Sequence, residues 1–268
     1  MDLQALPEGC IANILSLTTP LDAGRLSLIS RTFCSAAQSD SVWERFLPSD
    51  LESIISDSRQ FSSLIAAYPS KKALYLHLSD HPLLIDHGRK SFQLDKRTGK
   101  KCYMIAARDL TIIWGSTPEY WEWITLPESR FKEVAKLLAV CWFEIRRNIS
   151  TIILSPGTQY AAFLVYKMID AHGFHLEPAE LTVGIVGGIS STKSVCLDPN
   201  VEERHLGPNF QGLERPKERS DGWLEIEMGD FFNLGLEDEV EMRVIEIDSK
   251  WWKHGFFLQG IEVRPKIV

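Results

Sequence analysis

The first 48 residues constrain this chain more than any other stretch. Leu6-Pro7 opens a short segment with apolar residues at helical spacing, Thr19-Pro20 restarts it, and Trp43 with Phe46-Leu47-Pro48 closes it. Three abbreviated helices bury little apolar surface, and an isolated helix of fewer than about 12–15 residues is marginal in water. A unit this small needs a partner chain or a neighbouring domain to finish its core. What these helices dock against is the first question the sequence poses.

Pro7 suits the first helical position, where its missing N–H would be unpaired anyway, and Ile11, Ile14 and Leu15 then recur on one face. Thr19 reads as an N-cap with Asp22 at the third position, followed by one stripe of Ala23, Leu26, Ile29 and Phe33. Asp40 or Ser41 caps a last turn presenting Val42, Trp43 and Phe46, and Pro48 ends it. The plain reading is a helical mini-bundle covered by the rest of the chain. The ordered set Leu6-Pro7, Ile14-Leu15, Leu26-Ser27-Leu28-Ile29-Ser30, Phe33 and Trp43-Glu44-Arg45-Phe46-Leu47 resembles an F-box, the helical motif that binds a Skp-type adaptor. The resemblance implies docking to the adaptor and cullin of a ubiquitin ligase through Leu6, Pro7, Ile11, Ile14, Leu15, Leu26, Ile29 and Trp43.

At 268 residues the chain exceeds a typical single domain of roughly 100 to 150, so a small head and a larger body are expected. A 44% hydrophobic and 24% charged composition argues against a disordered or fibrous chain. A net charge of -7 opposes general binding to nucleic-acid phosphates, which needs clustered Lys and Arg. No apolar run approaches the roughly 20 residues of a bilayer span, and no secretory leader is evident, so a cytoplasmic or nuclear protein is predicted. Cys10, Cys34, Cys102, Cys141 and Cys196 are odd in number, spread out and without a C-x-x-C pair, which indicates reduced thiols rather than a disulfide framework or zinc cage. Asn148-Ile149-Ser150 matches the glycosylation pattern but is common by chance and matters only in the secretory route.

Beyond Pro48 helical spacing continues, with Leu51, Ile54, Ile55 and then Phe61, Leu64, Ile65 on helix faces. Ser70 caps a further helix through Leu74, Leu76 and Leu78 that stops before His81-Pro82. His77, His81 and His87 lack further ligands at useful spacing and read as surface and capping residues, and no cofactor is indicated. From about Ser91 the period changes to two, and Asp95-Lys96-Arg97-Thr98-Gly99 has the composition of a hairpin connection. Further strand-like runs are Val140–Ile145, Tyr160–Tyr166, Leu181–Val186, Trp223–Met228, Val240–Ile247 and Phe256–Val263; Phe131–Leu138 is ambiguous between helix and strand. The sequence therefore predicts a multidomain α+β chain: an all-α head at 1–48, a helical connector at 49–90 and an antiparallel β-sandwich at 91–268.

Two aromatic-rich stretches, Lys101 to Trp123 and Arg219 to Phe232, stand out in the body, with Val240-Glu241-Met242-Arg243 and Gly260-Ile261-Glu262-Val263-Arg264-Pro265. They resemble the phloem protein two lectin domain, also called Nictaba-like, and the whole chain is similar to the plant F-box proteins of that family. The resemblance implies a substrate receptor whose sandwich binds a glycoprotein or glycan of the N-glycan or N-acetylglucosamine class. It also implies a carbohydrate site at Trp114, Trp121, Glu239 and Glu246. The residue types suit a sugar, whose C–H face stacks on aromatic rings while its hydroxyls meet acceptors. Against this, a sandwich buries large aromatics for packing alone, and strand glutamates are commonly solvated surface. A lectin without a ligase role and a protein-binding sandwich without sugar affinity remain the alternatives. Glu225 and Glu227, on one strand face with Trp223, are the one glycosidase-like pair, but no nucleophile elbow, Walker loop or metal triad accompanies them. Binding rather than catalysis is expected.

Overall fold

The computed structural model describes residues 6–56, 67–200, 208–248 and 250–266. It divides into two compact units, Met1–His87 with Ser91–Tyr103, and Gly88–Lys90 with Met104–Val268.

The first unit starts with α1 (Glu8–Ser16). Pro7 is its N-cap rather than its first helical residue, because a ψ of 144° keeps it extended while its carbonyl accepts from the N–H groups of Cys10 and Ile11. Thr19 caps α2 (Pro20–Leu26): its hydroxyl accepts from the Asp22 N–H at 3.1 Å and donates to the Asp22 carboxylate at 2.9 Å. The expected single stripe through Leu26, Ile29 and Phe33 is broken. Ser30 accepts from the Phe33 N–H and starts a separate α3 (Arg31–Ala36), which leaves Ile29 in the intervening turn. Ser39, not Asp40 or Ser41, is the N-cap of α4 (Asp40–Phe46). Asp40 instead accepts at 2.8 Å from the N–H of Lys71, the first residue of α6 (Lys71–Asp80), whose N-cap is Ser70 as the sequence predicts. Between them lies α5 (Leu51–Ile55); Phe61, Leu64 and Ile65 fall outside the described residues.

Ile11, Leu15, Ala23, Phe33, Val42, Trp43 and Phe46 are buried in this unit, and Tyr75 of α6 is fully enclosed. The Trp43 ring lies 5.6 Å from Phe46 and 5.2 Å from Tyr75, with its Nε1–H donating to the Ala37 carbonyl at 2.7 Å. After β1 (Leu83–Ile85), a hairpin of β2 (Lys90–Leu94) and β3 (Lys101–Ala106) follows. Its Ser91–Tyr103 portion, assigned by the sequence to the sandwich, clusters with the helices. The Tyr75 hydroxyl reaches the carbonyls of Asp95 and Lys96, Gln93 reaches Ser79, and Lys101 pairs with Asp50 at 2.6 Å. Gly99 sits at φ +73°, and a Cβ there would stand 3.2 Å from the Phe46 carbonyl, so glycine is what lets the turn lie against α4.

The second unit is a two-sheet sandwich. One sheet runs β10 (Ser190–Val195), β9 (Ala179–Ile185), β13 (Glu239–Glu246), β7 (Phe143–Ser150), β4 (Thr111–Ile112). The other contains β14 (His254–Pro265), β8 (Thr158–His172), β12 (Leu224–Asn233) and β11 (Lys217–Glu218), with β6 (Val134–Leu137) on β14 and β5 (Trp121–Ile124) on β6. Phe143 of the first sheet meets Phe256 of the second edge-on at 5.1 Å, and Phe256 stacks on Tyr166. The fold class is α+β, as the sequence predicts. Of the ambiguous segment Phe131–Leu138, Val134–Leu137 is strand β6, because pairing with β5 and β14 outweighs its helical spacing.

Replacing Trp43 by Ala removes the ring that joins α4 to Tyr75 and is expected to cost about 3–5 kcal/mol. Urea unfolding of the full chain, followed by far-ultraviolet circular dichroism, measures it; a cost below about 1 kcal/mol contradicts the anchoring role.

Candidate functional site

On the helical unit the residues expected to dock divide into two groups. Ile11, Leu15 and Trp43 are enclosed by the unit's own side chains, so they form its core and not a contact surface. Leu6 and Leu26 are half-buried and Pro7 is exposed. The outward apolar residues are Ile14 (42% exposed), Leu17 (74%), Leu28 (85%) and Ile29 (55%). Leu17 and Leu28 escape a stripe argument because both lie in turns after helices, where the 3.6-residue period no longer applies. Aliphatic side chains left in water on adjoining turns mark an interaction surface rather than a packing layer.

On the sandwich, the β4–β5 connection walls a cleft of about 550 Å³ lined by Arg108, Leu110, Thr111, Ile112, Gly115, Ser116, Pro118, Trp121 and Trp123. The Arg108 guanidinium lies 3.7 Å from the centre of the Trp123 ring and is held there by two 3.0 Å bonds to Glu133. Trp123 itself donates to the Gly115 carbonyl at 3.1 Å. Trp121 lines the cleft but is only 2% exposed and stacks inward on Phe143, and its buried Nε1–H has no acceptor among the described residues. It is a wall, not an open stacking face.

Trp114 is the open face. It stands exposed at φ +63° and meets Tyr120 edge-on at 6.0 Å, and Tyr120 in turn lies 6.4 Å from the exposed Trp252. Segment 138–142 joins the group: Leu138 donates to the Tyr120 carbonyl, and Val140 exchanges two backbone bonds with Lys253. Trp142, also exposed, donates to Glu144 at 3.2 Å. The doublet Trp251-Trp252, next to a lysine, was the unused sequence signal for this row.

The two glutamates do not join it in the expected way. Glu246 pairs with Phe143 in the β13–β7 register, at the Trp142 end, whereas Glu239 pairs with Ser150. Seven residues of strand separate them, roughly 23 Å at 3.3 Å per residue. Glu239 is exposed at the far end, accepting from the Asn148 amide at 3.1 Å, so it does not belong to the aromatic site. Glu246 is buried and forms an ion pair with the fully buried Lys253, whose ammonium also donates to the carbonyls of Cys141 and Trp251. Its carboxylate is committed to that pair and is no hydroxyl acceptor. Instead it anchors the lysine that ties the 138–142 and 250–253 segments together. Burial pulls the Lys253 ammonium down to about 8, and the adjacent carboxylate is what makes a charge tolerable there.

A second cleft of about 280 Å³ contains Glu225 and Glu227. Burial opposes ionisation of Glu225, but Arg264 at 2.6 Å and Arg219 at 2.8 Å outweigh it and hold the carboxyl below the ordinary range. Glu227 bonds Lys266 at 2.7 Å. This is the opposite of the raised carboxyl that a general acid needs. Among the described residues no cluster of His, Cys, Asp or Glu is placed to hold a metal ion, and no helix is long and apolar enough to cross a membrane.

A unit of short helices with exposed turn aliphatics and a two-sheet sandwich with an aromatic end define a two-unit α+β protein. The F-box domain family model matches residues 3–45, and the Phloem protein 2 model matches residues 100–265. The chain is 47% identical to an F-box protein of Arabidopsis thaliana over 97% of this chain and 79% of that one. It is 45% identical to F-box protein PP2-B10 of the same plant, over 97% of this chain and 93% of that one. The chain belongs to the phloem protein 2 family of F-box proteins. Among solved structures, a Podospora anserina GH26-CBM35 mannanase matches with a TM-score of 0.33 at 11% identity over 62% of this chain and 28% of that one, a likeness that carries no argument.

Replacing Glu246 by Ala strands a buried ammonium, and breaking such a pair costs about 3–5 kcal/mol. Removing the carboxylate lowers the Lys253 pKa in the folded state further below its unfolded value, so the native state of the variant binds fewer protons. The loss of thermal stability is therefore expected to be greatest at pH 7 and below and to shrink as pH rises past about 8. Melting curves of parent and Glu246→Ala from pH 6 to 10 check it; a pH-independent loss contradicts the charge assignment.

Proposed function

We propose that this chain is the substrate-recognition subunit of an SCF-type cullin ubiquitin ligase. The helical unit docks to a Skp-type adaptor through Ile14, Leu17, Leu28 and Ile29, with Leu26 and Pro7 at their margin. The observation that carries this reading is that these aliphatics lie in water on a unit whose core is already complete. Binding a second polypeptide removes them from water at roughly 25 cal/mol per Å² of apolar surface. The chain contributes position rather than chemistry: ubiquitin transfer to lysines of a captured target follows from raised local concentration. This role places the protein in the cytoplasm or nucleus, in keeping with five free cysteines.

The sandwich takes a glycan of the N-glycan or N-acetylglucosamine class, borne on a glycoprotein, at its aromatic end. Trp114, Tyr120 and Trp252 offer ring faces for the C–H side of a pyranose, and the adjoining cleft supplies Ser116 and backbone carbonyls for hydroxyls. Glu239 has no part in it.

Ile14→Asp and Leu28→Asp are each expected to weaken recovery of a purified Skp-type adaptor by about tenfold or more while leaving the melting temperature unchanged. Leu15→Ala is expected to lower the melting temperature instead. Equal adaptor recovery by all variants in a pull-down removes the docking assignment. On a glycan array, Trp114→Ala and Trp252→Ala are expected to abolish the parent's signal and Glu239→Ala to keep it; a well-folded parent that binds no glycan removes the lectin reading.

A further inference from the structure

The end of the sandwich opposite the aromatic row has a different character. The β7–β8, β9–β10 and β12–β13 connections converge there, and backbone and side-chain bonds stitch them together. Thr151 donates through its N–H to the Asp238 carbonyl at 2.9 Å and through its hydroxyl to the Leu236 carbonyl at 2.6 Å. The buried Asn233 amide donates to the carbonyls of Thr151 and Ser155, and Val186 donates to the Glu239 carbonyl at 2.8 Å. On this fixed frame Ile152, Val186, Ile189, Leu234 and Leu236 all face water, Ile189 with 90% of its surface exposed. Single exposed aliphatics are ordinary; five on three stitched loops are not.

The charge at this end says what covers it. Glu237, Asp238 and Glu239 stand beside Leu234 and Leu236, and the connecting residues 151–157, 186–189 and 234–238 contain no Lys or Arg. An anionic lipid surface attracts polybasic segments and repels such a rim. A protein surface with an apolar centre and flanking Lys or Arg matches it in both respects. We infer that the loop end bearing Ile152, Val186, Ile189, Leu234 and Leu236 is a second, sugar-independent docking surface for a basic, apolar segment of a protein partner.

This assignment does not rest on the glycan reading, since the two ends lie at opposite termini of β13. The rigid frame also lowers the ordering cost that mobile loops incur on binding.

The test pans a displayed library of random peptides on the full-length parent and measures the enriched peptides by fluorescence anisotropy. Enriched sequences are expected to combine apolar residues with Lys or Arg. They are expected to bind Leu234→Ser/Leu236→Ser and Glu237→Lys/Asp238→Lys variants at least about tenfold more weakly, and Trp114→Ala/Trp252→Ala equally well. Ile189→Ser, on another loop, is expected to repeat the loss and guards against local distortion, and unchanged melting temperatures show that the exposed substitutions leave the fold intact. Enriched peptides without basic residues, or unaffected by these loop variants, overturn the inference, as does failure to enrich any peptide. Parent binding to phosphatidylcholine or phosphatidylserine vesicles that is lost in Leu234→Ser/Leu236→Ser reassigns the surface to lipid and overturns it equally.

Discussion

Eight residues of β13 lie opposite eight of β7, in a register running from Glu239–Ser150 to Glu246–Phe143. That antiparallel ladder decides which connections meet at which end of the sandwich. It gathers the 113–120, 138–142 and 250–253 segments, with their indoles, at one terminus, and the aliphatic β7–β8, β9–β10 and β12–β13 connections at the other. A shift of one residue would exchange the faces of β13, moving Val240, Met242 and Val244 from the core to water, so the register is strongly specified. The chemistry of both ends is thus a consequence of backbone pairing as much as of the side chains displayed.

The helical unit solves its size problem within the chain. The β2–β3 hairpin supplies carbonyls to Tyr75 and a lysine to Asp50, and its glycine turn lies against α4. A core closed in this way leaves the exposed turn aliphatics with no structural task, which is a stronger argument for an outside contact than an unfinished core would have been.

The long strands were legible because their apolar residues alternate, as in Val240–Val244, or run on between turn residues, as in Phe256–Val263. β10 was not: Ser-Ser-Thr-Lys-Ser-Val carries one apolar residue, and as an edge strand it has little to bury. The helix break at Ser30 was hidden by apolar spacing that happens to run through it. In the candidate site, the aromatic types and Trp114 were readable, whereas the roles of the glutamates were not. Nothing in the sequence pairs Glu246 with Lys253, and a seven-residue spacing on one strand looks like proximity until its length is counted in ångströms.

The bond from Asp40 to the first N–H of α6 joins residues 31 apart, and the contacts of Tyr75 with Asp95 and Lys96 reach further along the chain. Each requires a loop to close before any contact rewards it. During synthesis, therefore, the leading helices emerge from the ribosome without the residues that enclose them. They reach their final stability only once the chain has been translated through the Ser91–Tyr103 part of the hairpin, so the amino-terminal unit matures after its own sequence is complete.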